Sequence, residues 1–304
     1  MKTQTLAAID IGSNSIKLAV AVVAADSLNF ILQERERVRL GEALREKFLS
    51  PEAVRKSVAA VRKFRAVAES MKSETILAVA TASAREAANA GDFVGEIERQ
   101  TGVSVKVLAA IEEARLIGLA ARHSFPADGA ALLNIDVGGG STELSLMKTG
   151  AAEKLFSMPL GALRLTGKFI FNNPPSENEI ENLRAEILRN VEKPSVALRA
   201  DAWRTTSGTS GTILKFASLL NAENDGIYFE RLVELNRELA KMTVAERAAL
   251  PDISEKRAET IVAGGQILEG IMRALKIEKL QPCEYALREG VIIDFLKSRL
   301  ETAV

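Results

Sequence analysis

One cysteine, one histidine, one tryptophan and two tyrosines occur in 304 residues, and the first two shortages each remove a class of chemistry. Cys283 alone excludes an internal disulfide and any cysteine-rich zinc or iron–sulfur site, and it reads as a small buried apolar residue. A Ser-His-Asp triad would have to be built on His123, at a helix exit in Ala120-Ala121-Arg122-His123-Ser124-Phe125-Pro126, where a surface or capping role is the expectation. Acid–base work is left to carboxylates. No apolar run approaches the roughly 20 residues that span a bilayer, and Met1 to Thr5 lacks a signal peptide's cleavage region. Excess charge of either sign is missing too, because 40 basic and 40 acidic residues cancel. That balance argues against a nucleic-acid binder, DNA included, or a membrane-surface protein and makes any anion site local, while the missing spanning run and signal peptide lead to the expectation of a cytoplasmic chain.

What is present is a large apolar fraction, 47%, enough for a substantial core and two ordinary domains. Leu6 to Ile11 and Ile16 to Val23 read as strands joined by the turn Gly12-Ser13-Asn14-Ser15, with Phe30 to Val38 a third strand. Ser50-Pro51-Glu52 opens a helix continued by Val54, Val58, Val61, Phe64 and Val67. Alternation follows: strand Thr75 to Ala80, helices Ser83 to Ala90 and Asp92 to Gln100 ended by Gly102, strand Ser104 to Leu108, helix Ile111 to Ala121. After the linker Pro126-Ala127-Asp128-Gly129 the pattern restarts, with strands Ala130 to Val137, Leu144 to Lys148 and Glu153 to Pro159. A helix from Ser176 to Val191, a turn at Ser207 to Gly211, and helices near Phe229 to Lys241, Glu255 to Leu275 and Ala286 to Leu300 complete it. Ile9-Asp10-Ile11-Gly12-Ser13 and Ile135-Asp136-Val137-Gly138-Gly139 share one form, each between strands, which suggests duplication.

Turns of this kind let backbone N–H groups converge on an anion with no Cβ in the way. The first, Gly12 to Ser15, is followed by Lys17; the second, Gly138-Gly139-Gly140-Ser141-Thr142, is richer in glycine. One such turn is also what a plain hairpin needs, but two, each after an Asp, point to phosphate. Asp10 and Asp136 are placed to hold Mg²⁺ beside that phosphate or to cap their turns, and Glu143 offers a third oxygen. Glu112-Glu113 opens a helix, where the dipole favours acids whatever their role; adjacent helical positions diverge by ~100°, so one of the pair faces a given site. Gly208-Thr209-Ser210-Gly211 precedes the helical run Ile213 to Leu220 and makes another anion platform. Arg85 is placed to clamp phosphate or to pair with Glu86 or Glu113.

At these residues the sequence resembles the exopolyphosphatase and guanosine pentaphosphate phosphohydrolase (Ppx/GppA) family, in the actin-like ATPase superfamily. The resemblance spans nearly the whole chain. It rests on Ala8 to Ser15, Arg37-Val38-Arg39-Leu40-Gly41, Ala80-Thr81-Ala82-Ser83-Ala84-Arg85, Glu112-Glu113-Ala114-Arg115-Leu116, Ile135 to Glu143, Leu160-Gly161-Ala162-Leu163-Arg164-Leu165-Thr166, Gly208 to Thr212 and Leu287-Arg288-Glu289-Gly290. It implies an α/β protein of two ribonuclease-H-like domains flanking a cleft, residues 1–124 with a final helix 286–304 packing back on them, and residues 125–285. It implies release of terminal phosphate from polyphosphate or pppGpp, Mg²⁺ or Mn²⁺ as cofactor, and a homodimer, which is common in similar proteins. By position Glu113 resembles the family's catalytic carboxylate, Asp136 and Glu143 its residues at the metal and the attacking water, Gly12 to Ser15 and Gly138 to Thr142 its phosphate loops, and Arg85 a phosphate-facing arginine.

Three departures stand out. Ala109-Ala110 replaces the family's usual Ser-Gly before the acidic pair, Pro282-Cys283-Glu284-Tyr285-Ala286 replaces a Ser-Asp-x-Gly-like segment, and, where longer relatives continue into a helical His-Asp metal domain, this chain is expected to be a short two-domain member. Two other functions compete with hydrolysis: a guanosine-alarmone binding regulator with little turnover, and an acid or sugar kinase of the same superfamily.

Overall fold

The computed structural model describes residues 3–24, 27–45, 47–126, 129–149 and 151–301. Ala127 and Asp128 of the expected linker, and residues 302–304 of the last expected helix, lie outside them. The chain forms two compact units, residues 1–116 with 287–304, and residues 117–286.

The first unit opens with β1 (Gln4–Ile11), β2 (Ser15–Ala24) and β3 (Ser27–Arg37), followed by α1 (Leu40–Ala43) and the small hairpin β4 (Leu44–Arg45) and β5 (Phe48–Leu49). Then come α2 (Pro51–Ser70), β6 (Thr75–Ala80), α3 (Ala82–Glu86), α4 (Ala90–Thr101), β7 (Val105–Val107) and α5 (Ala110–Ser124), whose residues 117–124 belong to the second unit. The sheet order is β3-β2-β1-β6-β7, with β2 antiparallel to its neighbours and the β1–β6 and β6–β7 pairs parallel. Central β1 is buried along its last six residues, as a strand covered on both faces must be. At the edge, β3 alternates exposed and half-buried positions and carries Glu34, Arg35, Glu36 and Arg37, charges that blunt an open edge. Helix α2 starts as expected: Ser50 Oγ accepts from Ala53 N at 3.3 Å, Pro51 fills the first turn, and Val58, Val61 and Phe64 face the core.

The second unit repeats the plan with β8 (Leu132–Val137), β9 (Thr142–Lys148), β10 (Ala151–Met158), α6 (Ala162–Phe169), α7 (Glu177–Leu198), β11 (Thr205–Thr209) and α8 (Ser210–Leu219). It continues through β12 (Ile227–Tyr228), α9 (Phe229–Lys241), α10 (Val244–Ala248), α11 (Glu255–Leu275) and β13 (Lys279–Pro282). Its sheet order is β10-β9-β8-β11-β13-β12, so β10-β9-β8-β11 matches β3-β2-β1-β6. Both sheets have the strand order and directions of the ribonuclease-H-like fold. The last helix, α12 (Leu287–Glu301), belongs to the first unit and packs on β1 and β2, where Arg288 Nη1 donates to Leu18 O at 2.9 Å. Gly290 passes so close to the Leu116 carbonyl that a Cβ there would overlap it. Among the described residues no helix is long and apolar enough to cross a membrane.

Three local expectations change. The helix read over Ser83 to Ala90 is only α3, because the Asn89 side chain leaves the helix to bond the Leu49 backbone in both directions, at 2.9 and 3.1 Å. The helix ending at Val191 runs on through Pro194 to Leu198, with Pro194 and Leu198 buried. The turn at Ser207 to Gly211 is instead a strand up to Thr209, paired in parallel with β8 and β13.

Candidate functional site

The two glycine turns have one architecture. In the first hairpin Gly12 N donates to Ser15 O at 3.1 Å, and in the second Gly138 N donates to Ser141 O at 2.9 Å. Below them Asp10 lies directly opposite Lys17, and Asp136 directly opposite Glu143. Directly opposed residues share a face of the sheet, so one equivalent position separates the two sites chemically. In the first unit Lys17 Nζ sits 3.5 Å from Asp10 Oδ2 and balances it. In the second unit two carboxylates face each other, 7% and 1% exposed.

The second loop is turned by α6. Ala162 N donates to Gly138 O at 2.9 Å, Leu163 N and Arg164 N to Gly139 O at 3.0 and 3.1 Å, and Arg164 Nε to Gly140 O at 2.7 Å. With its carbonyls tied to the helix start, the loop presents the N–H groups of Gly139, Gly140 and Ser141, which have no backbone partner among the described residues. Converging free N–H groups make an anion nest. The approach of α6 requires Gly161, since a Cβ there would overlap the Gly139 carbonyl. Thr142 points inward, its hydroxyl on Leu160 O. The first loop is held in the same way: Gly41 N and Arg39 N donate to Ser13 O and Asn14 O at 2.9 and 3.0 Å, and Ser83 Oγ donates to Ser13 Oγ at 2.8 Å.

The third motif divides. Gly208 lies in β11 with Leu280 and Ile213 packed where a Cβ would be, so close packing accounts for its glycine. Thr209, fully buried, donates from Oγ1 to Asp136 Oδ2 at 2.5 Å. Asn134 Nδ2 in turn donates to Thr209 Oγ1 at 3.2 Å, and Ser207 Oγ donates to Asn134 Oδ1 at 2.8 Å. This chain fixes the Asp136 carboxylate. Ser157, opposite Glu143 on β10, donates to Glu143 Oε1 at 2.7 Å. Ser210 and Gly211 remain at the start of α8. Ser210 has φ +90°, which a residue with a side chain adopts only against strain, and strain of that kind gathers at functional sites. Its Oγ caps the helix, accepting from Thr212 N and Ile213 N at 3.2 and 3.4 Å.

The acidic pair has two fates. Glu112 takes both Nε and Nη2 of Arg115 at 2.7 and 2.8 Å, and Arg115 Nη1 reaches Asp294 of α12 at 2.8 Å. The Arg115 hydrogen bonds hold the Glu112 carboxyl below its ordinary range. Glu113 is turned inward, 7% exposed, with Arg85 Nη1 3.0 Å from its Oε2; the same nitrogen also donates to Leu108 O at 2.9 Å. Arg85 thus acts on a carboxylate, the second of the roles its position allowed.

Sequence reasoning missed Asn134, Ser157, Ser207 and Ser83 as supports. The signal was present for one of them, since Ser83 lies in the segment Thr81 to Arg85 that had drawn notice. The others became visible only with strand register. For a metal, the opposed carboxylates of Asp136 and Glu143 are the hard oxygen donors that Mg²⁺ prefers, and they fit such an ion. Among the described residues no three Asp, Glu, His or Cys side chains gather into a complete ligand set, so substrate and water would supply the remaining oxygens.

The Ppx/GppA phosphatase family model matches residues 19–299. Exopolyphosphatase 1 of Mycobacterium leprae (strain TN) is 33% identical over 307 residues, covering 97% of this chain and 91% of its own. Among solved structures, an exopolyphosphatase-like protein has a TM-score of 0.90 at 28% identity, covering 99% of this chain and 100% of its own. The Aquifex aeolicus Ppx/GppA family member has a TM-score of 0.84 at 25% identity, covering 98% and 99%.

Proposed function

The chain belongs to the Ppx/GppA phosphatase family and is a phosphate-releasing hydrolase, and we propose that it removes the terminal phosphate of inorganic polyphosphate with Glu113 as general base. The observation that carries this reading is the second loop, whose carbonyls are tied back on α6 so that its free N–H groups stand above the opposed Asp136 and Glu143. That is a binding surface for phosphate oxygens bearing negative charge, and the M. leprae relative is named an exopolyphosphatase.

In this mechanism a water oxygen attacks the terminal phosphorus, the bond from phosphorus to the bridging oxygen breaks, and the shortened chain leaves with that bonding pair. Glu113 takes the proton from the water, and Arg85 fixes the carboxylate's orientation. The N–H groups of Gly139, Gly140 and Ser141 hold the phosphate oxygens as charge develops on them. Asp136 and Glu143 would hold Mg²⁺, which when bound offsets the charge on those oxygens. Asp136 is kept in place for this by Thr209 and Asn134, and Glu143 by Ser157. The reading includes a cytoplasmic location, in keeping with a chain whose single cysteine can form no internal disulfide.

The test offers purified protein polyphosphate and pppGpp in parallel with Mg²⁺ and measures released phosphate. Steady release from polyphosphate is expected. Tight binding of pppGpp without release from either substrate would favour an alarmone-binding regulator, and transfer only to an added acceptor would favour a kinase.

A further inference from the structure

Strand β3 sorts its charges by face. Glu34 and Glu36 point toward α2, where Lys63 Nζ lies 2.5 Å from Glu36 Oε1 and 3.8 Å from Glu34 Oε2. Arg35 and Arg37, each one position further on, therefore stand on the opposite face. There the register sets Arg35 directly opposite Lys17 of β2, and Arg37 opposite Ser15 at the end of the first loop. Directly opposed side chains are about 5 Å apart and alternate residues of one strand roughly 7 Å, so Lys17, Arg35 and Arg37 form one cluster. All of it belongs to the first unit.

The cluster carries more positive charge than its surroundings answer. Lys17 Nζ is 3.5 Å from Asp10 Oδ2 and is balanced by it. Arg288 of α12, which reaches the same face by donating to Gln33 Oε1 at 3.3 Å, has Glu289 Oε1 at 3.3 Å. Arg35 and Arg37 are exposed residues with neither an ion pair nor a hydrogen bond among the described residues. What burial the Arg35 guanidinium has, followed by the like charges of Arg37 and Arg288, pushes Arg35 below the ordinary arginine value. Guanidiniums held in like-charge company gain most from one ligand that brings several negative charges close together. Beside them on this face stand Ser15, Ala19 and Gln33, none of which offers a ring for a base to stack on, and this favours a bare phosphate chain over a nucleic acid.

We infer that this face of the first unit is a polyphosphate-binding site in its own right, where Arg35 and Arg37 hold non-terminal phosphates of the chain. The identity of the ligand rests on the proposed hydrolysis of polyphosphate. Binding of long-chain polyphosphate to the intact protein is measured by calorimetry in chelator, and phosphate release from it is measured in Mg²⁺. The double variant Arg35→Ala/Arg37→Ala is expected to bind about tenfold or more weakly, with a shallower dependence on salt. Both side chains are exposed, so the variant keeps the fold. Arg35→Lys/Arg37→Lys should retain most of the affinity, and Arg55→Ala/Lys193→Ala, which removes two exposed cations from α2 and α7, should bind as the wild type does. Unchanged affinity in folded Arg35→Ala/Arg37→Ala, or an equal loss in the α2–α7 variant, would overturn the site. Displacement of the chain by equimolar single-stranded RNA would overturn its ligand class. A wild type that binds polyphosphate through these arginines yet releases no phosphate in Mg²⁺ would overturn the hydrolysis alone, so the two readings fail separately.

Discussion

Neighbouring glutamates on one helix take different work because their surroundings differ. Glu112, half-exposed and bound to Arg115, joins α5 to Asp294 of α12, whereas Glu113 is buried beside Arg85. Glu113→Gln is expected to lower kcat by roughly 10²–10⁴-fold with KM little changed, because the amide fills the same space and cannot take the proton. Glu112→Gln should keep kcat and lower Tm, since it weakens only the tie to α12. Steady-state kinetics beside thermal melts separate the two, and the reverse pattern would exchange their roles. From sequence the pair could be narrowed to one residue by helical geometry, but which one depends on Asp294, 181 positions on from Glu113. Thr209 teaches the same lesson. Its hydroxyl suggested a phosphate contact, yet its proton goes to Asp136 at 2.5 Å. Thr209→Val should therefore lower kcat and raise the Mg²⁺ concentration for half-maximal rate, with Thr209→Ser restoring both. A wild-type Mg²⁺ titration in the valine variant would leave Thr209 as a packing residue only.

Elements whose pattern is local were legible, and those defined by distant partners were not. β1, β2, β8 and β9 show as apolar runs broken by glycine turns, and α2 and α7 carry their own caps. β11 escaped because Thr205 to Thr209 contains no large apolar residue; it is a strand only because β8 and β13 flank it. Pro194 hid the end of α7 because chain-local rules stop a helix there, whereas burial of Leu198 rewards its continuation. At the start of α7, Glu179 accepts from Ser176 N and Phe171 N at 2.8 Å and from Asn172 N at 3.0 Å. These bonds, that of Ser176 foremost, lower its carboxyl to about 2. A folded pKa below the unfolded value gives stability that is present above the unfolded pKa and lost as pH falls through the folded one. Glu179→Gln should accordingly lower Tm at neutral pH, with the gap to the wild type closing between about pH 4.5 and 2. A gap constant over that range would show that the charge of Glu179 is immaterial.

At the scale of the molecule, duplication was readable from the two Asp-x-Gly segments, but the asymmetry between the copies was not. It rests on register, which sets Lys17 against Asp10 in one unit and Glu143 against Asp136 in the other. Divalent-metal dependence should follow that asymmetry. A polyphosphate terminus carries several negative charges, and more develops on its oxygens during attack. Arg85 is already engaged by Glu113, and Lys17 by Asp10. Beside the second loop Arg164 is spent on the Gly140 carbonyl, and the opposed Asp136 and Glu143 offer the hard oxygens that suit Mg²⁺. Activity should therefore vanish in excess chelator and return with Mg²⁺ or Mn²⁺. Asp136→Asn should raise the Mg²⁺ concentration for half-maximal activity and lower the maximal rate. Asp10→Asn should leave the Mg²⁺ titration close to wild type, because its carboxylate answers to Lys17 rather than to an ion. The comparison uses phosphate release over a Mg²⁺ series for the three proteins. Full activity in chelator would remove the metal from the reaction, and an equal shift in both variants would make the two loops alike in chemistry as they are in shape.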